Sequence, residues 1–510
     1  MQIALALVPI ALLLALLIGA RWSAASAGAV AAGAAIVVTA FWFESPTIYT
    51  IAGPFLEALF QSATILWIIF PALCIHEFQV RNGGTALFGR ALAGLSNDPR
   101  MVALLIAWFF VCFLEGAAGF GTPIALAAPL LVTAGFSPQV ALLLAIVGNA
   151  AAVPFGAIGT PMAPLLAETG LDPNALSLSV ALLNASVGWI MVLMVVRIAT
   201  PGSVIPFWSS LGWALGAAAL FFVPSALLAW TTGPELPSLG AALIGGGAFA
   251  VFLSRLRGGG RGRGTIEDRA QLPSSSGLLR AALPYLVVVG LILITRLVPP
   301  LSQALRAVEI HWSMEGGYAG SVAPLYHPGT VLMLAFLFSG MLQRETRVLI
   351  SGAARDAARR LPRVALALLA VLTLARTMVH AGMIELLAAA TAQAFGNALP
   401  LVAPLLGTLG AFVTGSGTAS NILLGGFQAS AAERAGILPM LAAAAQAVGA
   451  AAGNLVAPHN IVAGAATVGL VGKEGEILHR TLPLALLYAG AAGVVSLFAS
   501  LVLFGTGALS

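Results

Sequence analysis

Apolar residues fall in unbroken blocks of about twenty along most of this chain, at residues 3–20, 24–43, 53–73, 174–196, 205–230, 239–253, 278–298, 324–342, 364–388 and 477–504. A hydrocarbon core about 30 Å thick is crossed by some twenty helical residues rising 1.5 Å each, so each block predicts a spanning helix. Two further stretches, 101–168 and 400–473, are as apolar but interrupted. The first contains Phe113-Leu114-Glu115-Gly116-Ala117-Ala118-Gly119-Phe120-Gly121-Thr122-Pro123, and the second Thr414-Gly415-Ser416-Gly417-Thr418-Ala419-Ser420-Asn421. Glycine and proline break the backbone ladder, and broken backbone survives at membrane depth only where protein buries it or a water-filled cavity receives it. The two interruptions therefore imply a polar cavity inside the membrane.

The polar segments between blocks give orientation. Arg81, Arg90 and Arg100 stand against a single acid, Asp98, which places that segment in the cytoplasm and the N-terminus outside. Counting forward, the segment around Glu168 and Asp172 is outside, Arg197 is inside, and the turn at Glu235 is outside. Residues 254–277, rich in Gly and Ser with Arg255, Arg257, Arg261, Arg263 and Arg269, form a cytoplasmic linker. An outer segment holds Glu309, His311 and Glu315, and the basic residues 344–363 form a helix along the inner surface. The chain then divides into N-terminal helices (1–100), a first broken-helix repeat (101–168), connecting helices (169–253), the linker (254–277), helices of the second half (278–399), a second broken-helix repeat (400–473) and a last helix (474–510) that ends outside.

The two broken stretches enter from opposite sides, and their landmarks recur in order. Gly121-Thr122, Gly135 with Ser137-Pro138 and a break at 154–161 answer Gly417-Thr418, Gly436 with Leu438-Pro439 and a break at 453–458. The expected fold is an all-α polytopic membrane protein, a secondary transporter with inverted-topology repeats whose two broken-helix hairpins meet near the membrane midplane.

Composition agrees. The 510 residues are 60% hydrophobic and 8% charged with a mean hydropathy of +1.01, which excludes a soluble domain. A formal charge of +5 confined to loops argues against nucleic acid as a partner. Cys74 and Cys112 lie far apart in apolar surroundings with no metal spacing, so no metal or cofactor is expected. No HExxH or GxSxG pattern or paired acids supports a membrane-embedded enzyme. The first block has neither a basic flank nor a small-residue cleavage site and reads as a retained helix.

The chemistry concentrates at the interruptions. A helix start offers N–H groups that suit an anion, and a helix end offers carbonyls that suit a cation. Gly119, Phe120, Gly121 and Thr122 in one half and Thr414, Ser416, Thr418, Ser420 and Asn421 in the other are the candidate substrate contacts, fitting one carboxylate and a small polar substituent. Arg376, about 20 Å beyond Arg363 on the same helical rise, cannot discard its charge and needs an anion: a substrate carboxylate, or Glu115, Glu57 or Glu385. Glu115, about 22 Å beyond Arg100, is costly to ionise at that depth and is a candidate proton carrier. His380, one turn from Arg376, and His459, in the second break, are further candidates for proton coupling.

The run from Phe113 to Gly121, with Gly135-Phe136 and Phe155-Gly156-Ala157-Ile158-Gly159, resembles the bacterial L-lactate permease family. So do Thr414-Gly415-Ser416, Ser420-Asn421 and residues 465–474. The resemblance implies a proton symporter of the bacterial inner membrane that imports lactate, glycolate or a related 2-hydroxy monocarboxylate. A sodium-coupled carrier of another small organic anion is the alternative. Monomer and homodimer are both open. Where the family pattern has an acid this chain has Gly417, and Val379-His380-Ala381-Gly382 replaces an Asn-Tyr-Ser-Gly-like stretch, so the second half exchanges an acid for histidine.

Overall fold

In the computed structural model the described residues are 1–16, 20, 22–43, 47–119, 121–200, 207–259, 275–343, 347–470 and 473–505. Among them, eleven helical stretches are long and apolar enough to cross a membrane by length and composition, with shorter apolar helices at Gln2–Leu13, Thr122–Thr133 and Pro328–Leu342. Large apolar side chains such as Phe41, Val223, Ile294, Leu366 and Phe498 are exposed on the flanking helices. Such a surface suits hydrocarbon and no aqueous one.

Two helices of 34 residues, Ile48–Arg81 and Arg347–His380, pack antiparallel. Arg81 pairs with Asp356, and Arg360 Nη2 lies 2.5 Å from Glu77 Oε1. At the far end Arg376 and His380 meet Gln61 and Glu57. Each helix is about 50 Å long. The basic stretch after residue 346 runs without a break into the apolar stretch that follows, through Pro362. Its Ala, Arg and Leu residues favour helix, and the ion pairs fasten it to its neighbour.

Two units with the same order of elements occupy 99–169 and 399–467. The first comprises Pro99–Ala117, a tip at 118–121, Thr122–Thr133, a turn at Gly135, Pro138–Asn149, an irregular segment 150–161 and Met162–Thr169. The second comprises Leu399–Thr414, a tip at Gly415-Ser416, Gly417–Arg434, a turn at Gly436, Pro439–Asn454, an interruption at 455–457 and Pro458–Thr467. In both, the first helix presses on the third closely enough to require glycine. A Cβ at Gly148 would stand 1.5 Å from Ala107 O, and one at Gly449 2.1 Å from Pro404 O. Each of these glycines stands ten residues after the proline that opens its helix. Each also offers its carbonyl across the contact, to Cys112 Sγ at 3.4 Å and to Thr408 Oγ1 at 3.0 Å.

One element was not anticipated. The segment assigned to an outer loop forms an antiparallel hairpin, Ile310–Met314 with Tyr318–Val322, turning at Glu315-Gly316-Gly317. Gly316 and Gly317 take φ of +93° and +82°, the backbone a tight hairpin turn needs. The structure describes the helix Pro237–Gly259 and one from Ser275; most of the expected linker between them lies outside the described residues.

Candidate functional site

The first tip follows a helix end: Ala118 is no longer helical, and Gly119 and Gly121 take φ of +57° and +75° before a new helix begins at Thr122. Thr122 Oγ1 closes the turn by donating to Gly119 O at 2.7 Å. Glu115, one turn before the tip, is buried and faces the irregular segment, where a Cβ at Gly156 would come within 2.4 Å of its Oε1. The Asn149 side chain is a polar neighbour of the carboxyl group. Oε2 has no hydrogen-bond partner among the described residues. A carboxyl oxygen left in this state is expensive unless a proton or a ligand completes it.

The irregular segment is a 3₁₀ turn, Ala150–Phe155, followed by Ala157 and Ile158 at φ of +42° and +54°. Left-handed backbone at a β-branched residue costs on the order of 1–3 kcal/mol and persists only where neighbours enforce it. Side chains from three other helices do so by taking the freed carbonyls. Asn184 donates to Ala151 O at 2.7 Å, Ser238 to Ala152 O at 2.7 Å, and Asn421 to Pro161 O at 2.8 Å.

That last bond comes from the second tip. Gly415 turns at φ +72°, Ser416 caps the next helix by accepting from Ala419 N at 3.3 Å, and Thr414 Oγ1 donates to Gly410 O at 2.7 Å. The N–H groups of Gly417 and Thr418 begin the helix and have no acceptor within it. Behind them lies a buried amide network. Gln446 Nε2 donates to Ser420 Oγ at 2.9 Å and to Asn421 Oδ1 at 3.3 Å, Gln428 Nε2 donates to Gln446 Oε1 at 2.5 Å, and Ser420 Oγ donates to Gly407 O at 2.9 Å. A Cβ at Gly417 would meet Val153 at 3.5 Å. Segment 150–161 thus touches Glu115 and Gly119 of the first tip and Gly417 and Asn421 of the second.

Arg376 is not gathered to the tips. Its Nη2 donates to Glu168 Oε1, its Nε to Gln61 Oε1 at 3.3 Å, and its Nη1 stands 4.0 Å from Glu57 Oε2. His380 Nε2 lies 2.8 Å from the same Glu57 oxygen, Ala319 N donates to Glu57 Oε1 at 3.0 Å, and the Tyr318 ring packs on His380. The hairpin therefore covers this cluster. Glu168 ends the short helix that leaves segment 150–161, and Gly425 and Gly426 of the second unit pack against that helix.

Of the residues singled out from sequence, Glu115, Gly119, Gly417 and Asn421 all meet segment 150–161. Gly121, Thr122, Thr414, Ser416, Thr418 and Ser420 form or follow the two tips, while Arg376 and His380 share a separate charged cluster. Phe120 and the side chain of His459 lie outside the described residues. Glu168, which the sequence offers only as one of two acids in an outer segment, is the buried partner of Arg376, with its side chain 4% exposed. Asn149, Asn184, Ser238 and Gln446 were not anticipated. Their signal was a lone amide or hydroxyl in a long apolar run, which in a membrane needs a partner.

A family model described as L-lactate permease matches residues 2–503. The L-lactate permease of Streptococcus iniae is 30% identical over 74% of this chain and 80% of its own length. The glycolate permease GlcA of Escherichia coli K12 is 28% identical over 98% of this chain and 96% of its own. Among solved structures, MtrF of Neisseria gonorrhoeae, whose structure is described as illuminating a class of antimetabolite efflux pumps, superposes with a TM-score of 0.52 at 14% identity, covering 94% of this chain and 96% of that one. At that identity the likeness concerns the fold alone.

Proposed function

The chain belongs to the L-lactate permease family, and from that premise we propose that it imports a small 2-hydroxy monocarboxylate, lactate or glycolate, together with protons. It is a transporter, a multi-pass protein of the bacterial inner membrane, and not an enzyme. The observation that supports the reading is that segment 150–161 touches residues of both tips. A carboxylate bound there meets the free N–H groups at Gly417 and Thr418, with the hydroxyls of Ser416 and Thr418 and the backbone at Gly119, Gly121 and Thr122 completing the site. We place residues 81–100 and the 254–277 linker in the cytoplasm and treat the two units as inverted repeats entering from opposite faces. Their shared glycine contacts support the relation.

Two places can hold the coupled proton: Glu115, with one carboxyl oxygen unpartnered, and the cluster of Glu57, Glu168, Arg376 and His380. His459 stays a candidate by its position in the first turn after the second break. Sodium coupling is the weaker reading, because the carbonyls that unwinding frees at Ala151, Ala152 and Pro161 already accept hydrogen bonds.

The test is counterflow with the purified full-length protein in proteoliposomes, offering lactate, glycolate, acetate and succinate. Exchange of lactate or glycolate, stimulated by an inward proton gradient, is the expected result. Exchange that needs sodium, or no exchange of any monocarboxylate, overturns the proposal.

A further inference from the structure

The cluster around Arg376 holds one guanidinium, two carboxylates and one imidazole, drawn from three helices. With both acids ionised it carries one negative charge in excess. His380 balances that charge when it holds a proton against Glu57, 2.8 Å away. Balance matters here, because an uncompensated charge in this setting costs several kcal/mol. The charged groups that face Glu168 are Arg376 and, beyond it, Glu57 and His380; Gly425 and Gly426 of the second unit pack against its helix. Exposure is uneven. The side chains of Arg376 and His380 keep 13% and 24% of their surface open, whereas Glu57 and Glu168 keep 7% and 4%. The acids are the more deeply buried members of the cluster, and the imidazole under the hairpin is the least buried.

Taking as given that the cargo is a monocarboxylate anion, we propose that Arg376 is a carboxylate-exchange station in which Glu168 is a built-in competitor for the cargo. An arriving carboxylate takes the place of Glu168 at the guanidinium, and Glu168 takes up one proton from the water on that side. One anion and one proton have entered, so the charge of the cluster is unchanged. Glu168 keeps its proton while the anion occupies the tips; once the anion is released inside, Glu168 releases the proton to that same side and closes on Arg376 again. Glu168 ends a helix seven residues beyond Pro161, about 10 Å along its axis, so the station lies next to the path into the tip site and apart from it. One proton per anion then follows from charge balance at a single arginine.

The experiment measures L-lactate affinity of the purified full-length protein across pH 6 to 8, with a pH indicator in weak buffer recording proton uptake on binding. In the wild type, affinity falls about tenfold per pH unit and about one proton is taken up per lactate, the slope expected of one linked proton. In Glu168→Gln the pH slope and the proton uptake disappear, because the amide cannot exchange a proton. In Arg376→Gln lactate affinity falls at least about tenfold. Should Glu168→Gln fail to fold, Glu168→Asp serves: its shorter reach weakens the competitor, so lactate binds more tightly and the proton uptake persists. A wild-type pH slope in Glu168→Gln, or its loss in Glu115→Gln or His380→Gln with Glu168→Gln unaffected, overturns the proposal while leaving the monocarboxylate reading intact. A wild type that binds neither lactate nor glycolate overturns both.

Discussion

Beside the first tip the protein buries a carboxyl group, Glu115, with Asn149 as its polar neighbour. Beside the second it buries amides and hydroxyls, Gln446, Gln428, Asn421 and Ser420, hydrogen-bonded to one another. The helices that carry these groups pack by the same device, a glycine ten residues after an opening proline pressed against the facing backbone. Geometry is repeated and chemistry is not. One half can gain or lose a proton beside the site, while the other keeps a fixed set of donors and acceptors. A carrier built this way can respond to pH through one half and hold its cargo through the other.

The largest effect is expected where the two halves are alike. Gly148→Leu or Gly449→Leu drives a side chain into backbone and should cost more than about 3 kcal/mol, enough that neither variant is recovered as a monodisperse folded protein by size exclusion. Recovery of both at wild-type yield would break the equivalence of the two contacts. Next comes Gly417→Val. An added Cβ meets Val153 only at ordinary contact distance, so thermal stability should change by less than about 1 kcal/mol, whereas lactate counterflow should fall at least about tenfold as approach to the N–H groups is blocked.

The chemical difference is sharpened by a pair. Gln446→Leu strands Ser420 and Asn421 and should cost about 1–3 kcal/mol, seen as a lower melting temperature with the pH profile of transport unchanged. Glu115→Gln should alter that pH profile with a smaller thermal shift. Both variants moving the profile alike would remove the distinction between the halves.

The smallest effect concerns how the units begin. Asp98 caps the first helix of its unit by accepting from Arg100 N at 2.9 Å, whereas the second unit starts after Ala398 with no side-chain cap. Asp98→Ala should cost about 1 kcal/mol. Hydrogen bonds from Arg100 hold the Asp98 carboxyl below the usual range. Its contribution is therefore present in full above the unfolded value of about 4 and lost as the pH falls through the lower folded value. Melting curves between pH 3 and 6 should show wild type and Asp98→Ala converging at the acid end.

Both tips were legible in the sequence because glycine, proline and polar residues within hydrocarbon length have few explanations. The order of landmarks in the two units was legible for the same reason. What could not be read was pairing at long range. Glu168 sits beside Asp172 and a glycine and looks like a loop acid, and only the fold brings it to Arg376, 208 residues away. The left-handed backbone at Ala157 and Ile158 is equally silent, since neither residue favours it and its support comes from Asn184, Ser238 and Asn421 on other helices. The hairpin at 310–322 carries only a short signal, two adjacent glycines between strands of five residues, set among apolar blocks long enough for helices.

The two 34-residue helices also act as a ruler. Their polar rungs, a hydrogen bond from Arg376 to Gln61 at one end and the ion pair of Glu77 with Arg360 at the other, are sixteen residues apart, about 24 Å along the axis. These bonds at both ends prevent the helices from sliding past one another, so that span cannot lengthen to suit its surroundings. In a bilayer whose hydrocarbon is thicker than the span, lipid must thin around the protein, and in a thinner one the pair must tilt, at a fraction of a kcal/mol for each ångström of mismatch. Acyl-chain length is therefore an external control on this carrier, and reconstitution into a series of lipids of increasing length should show a thickness optimum set by the distance between those rungs.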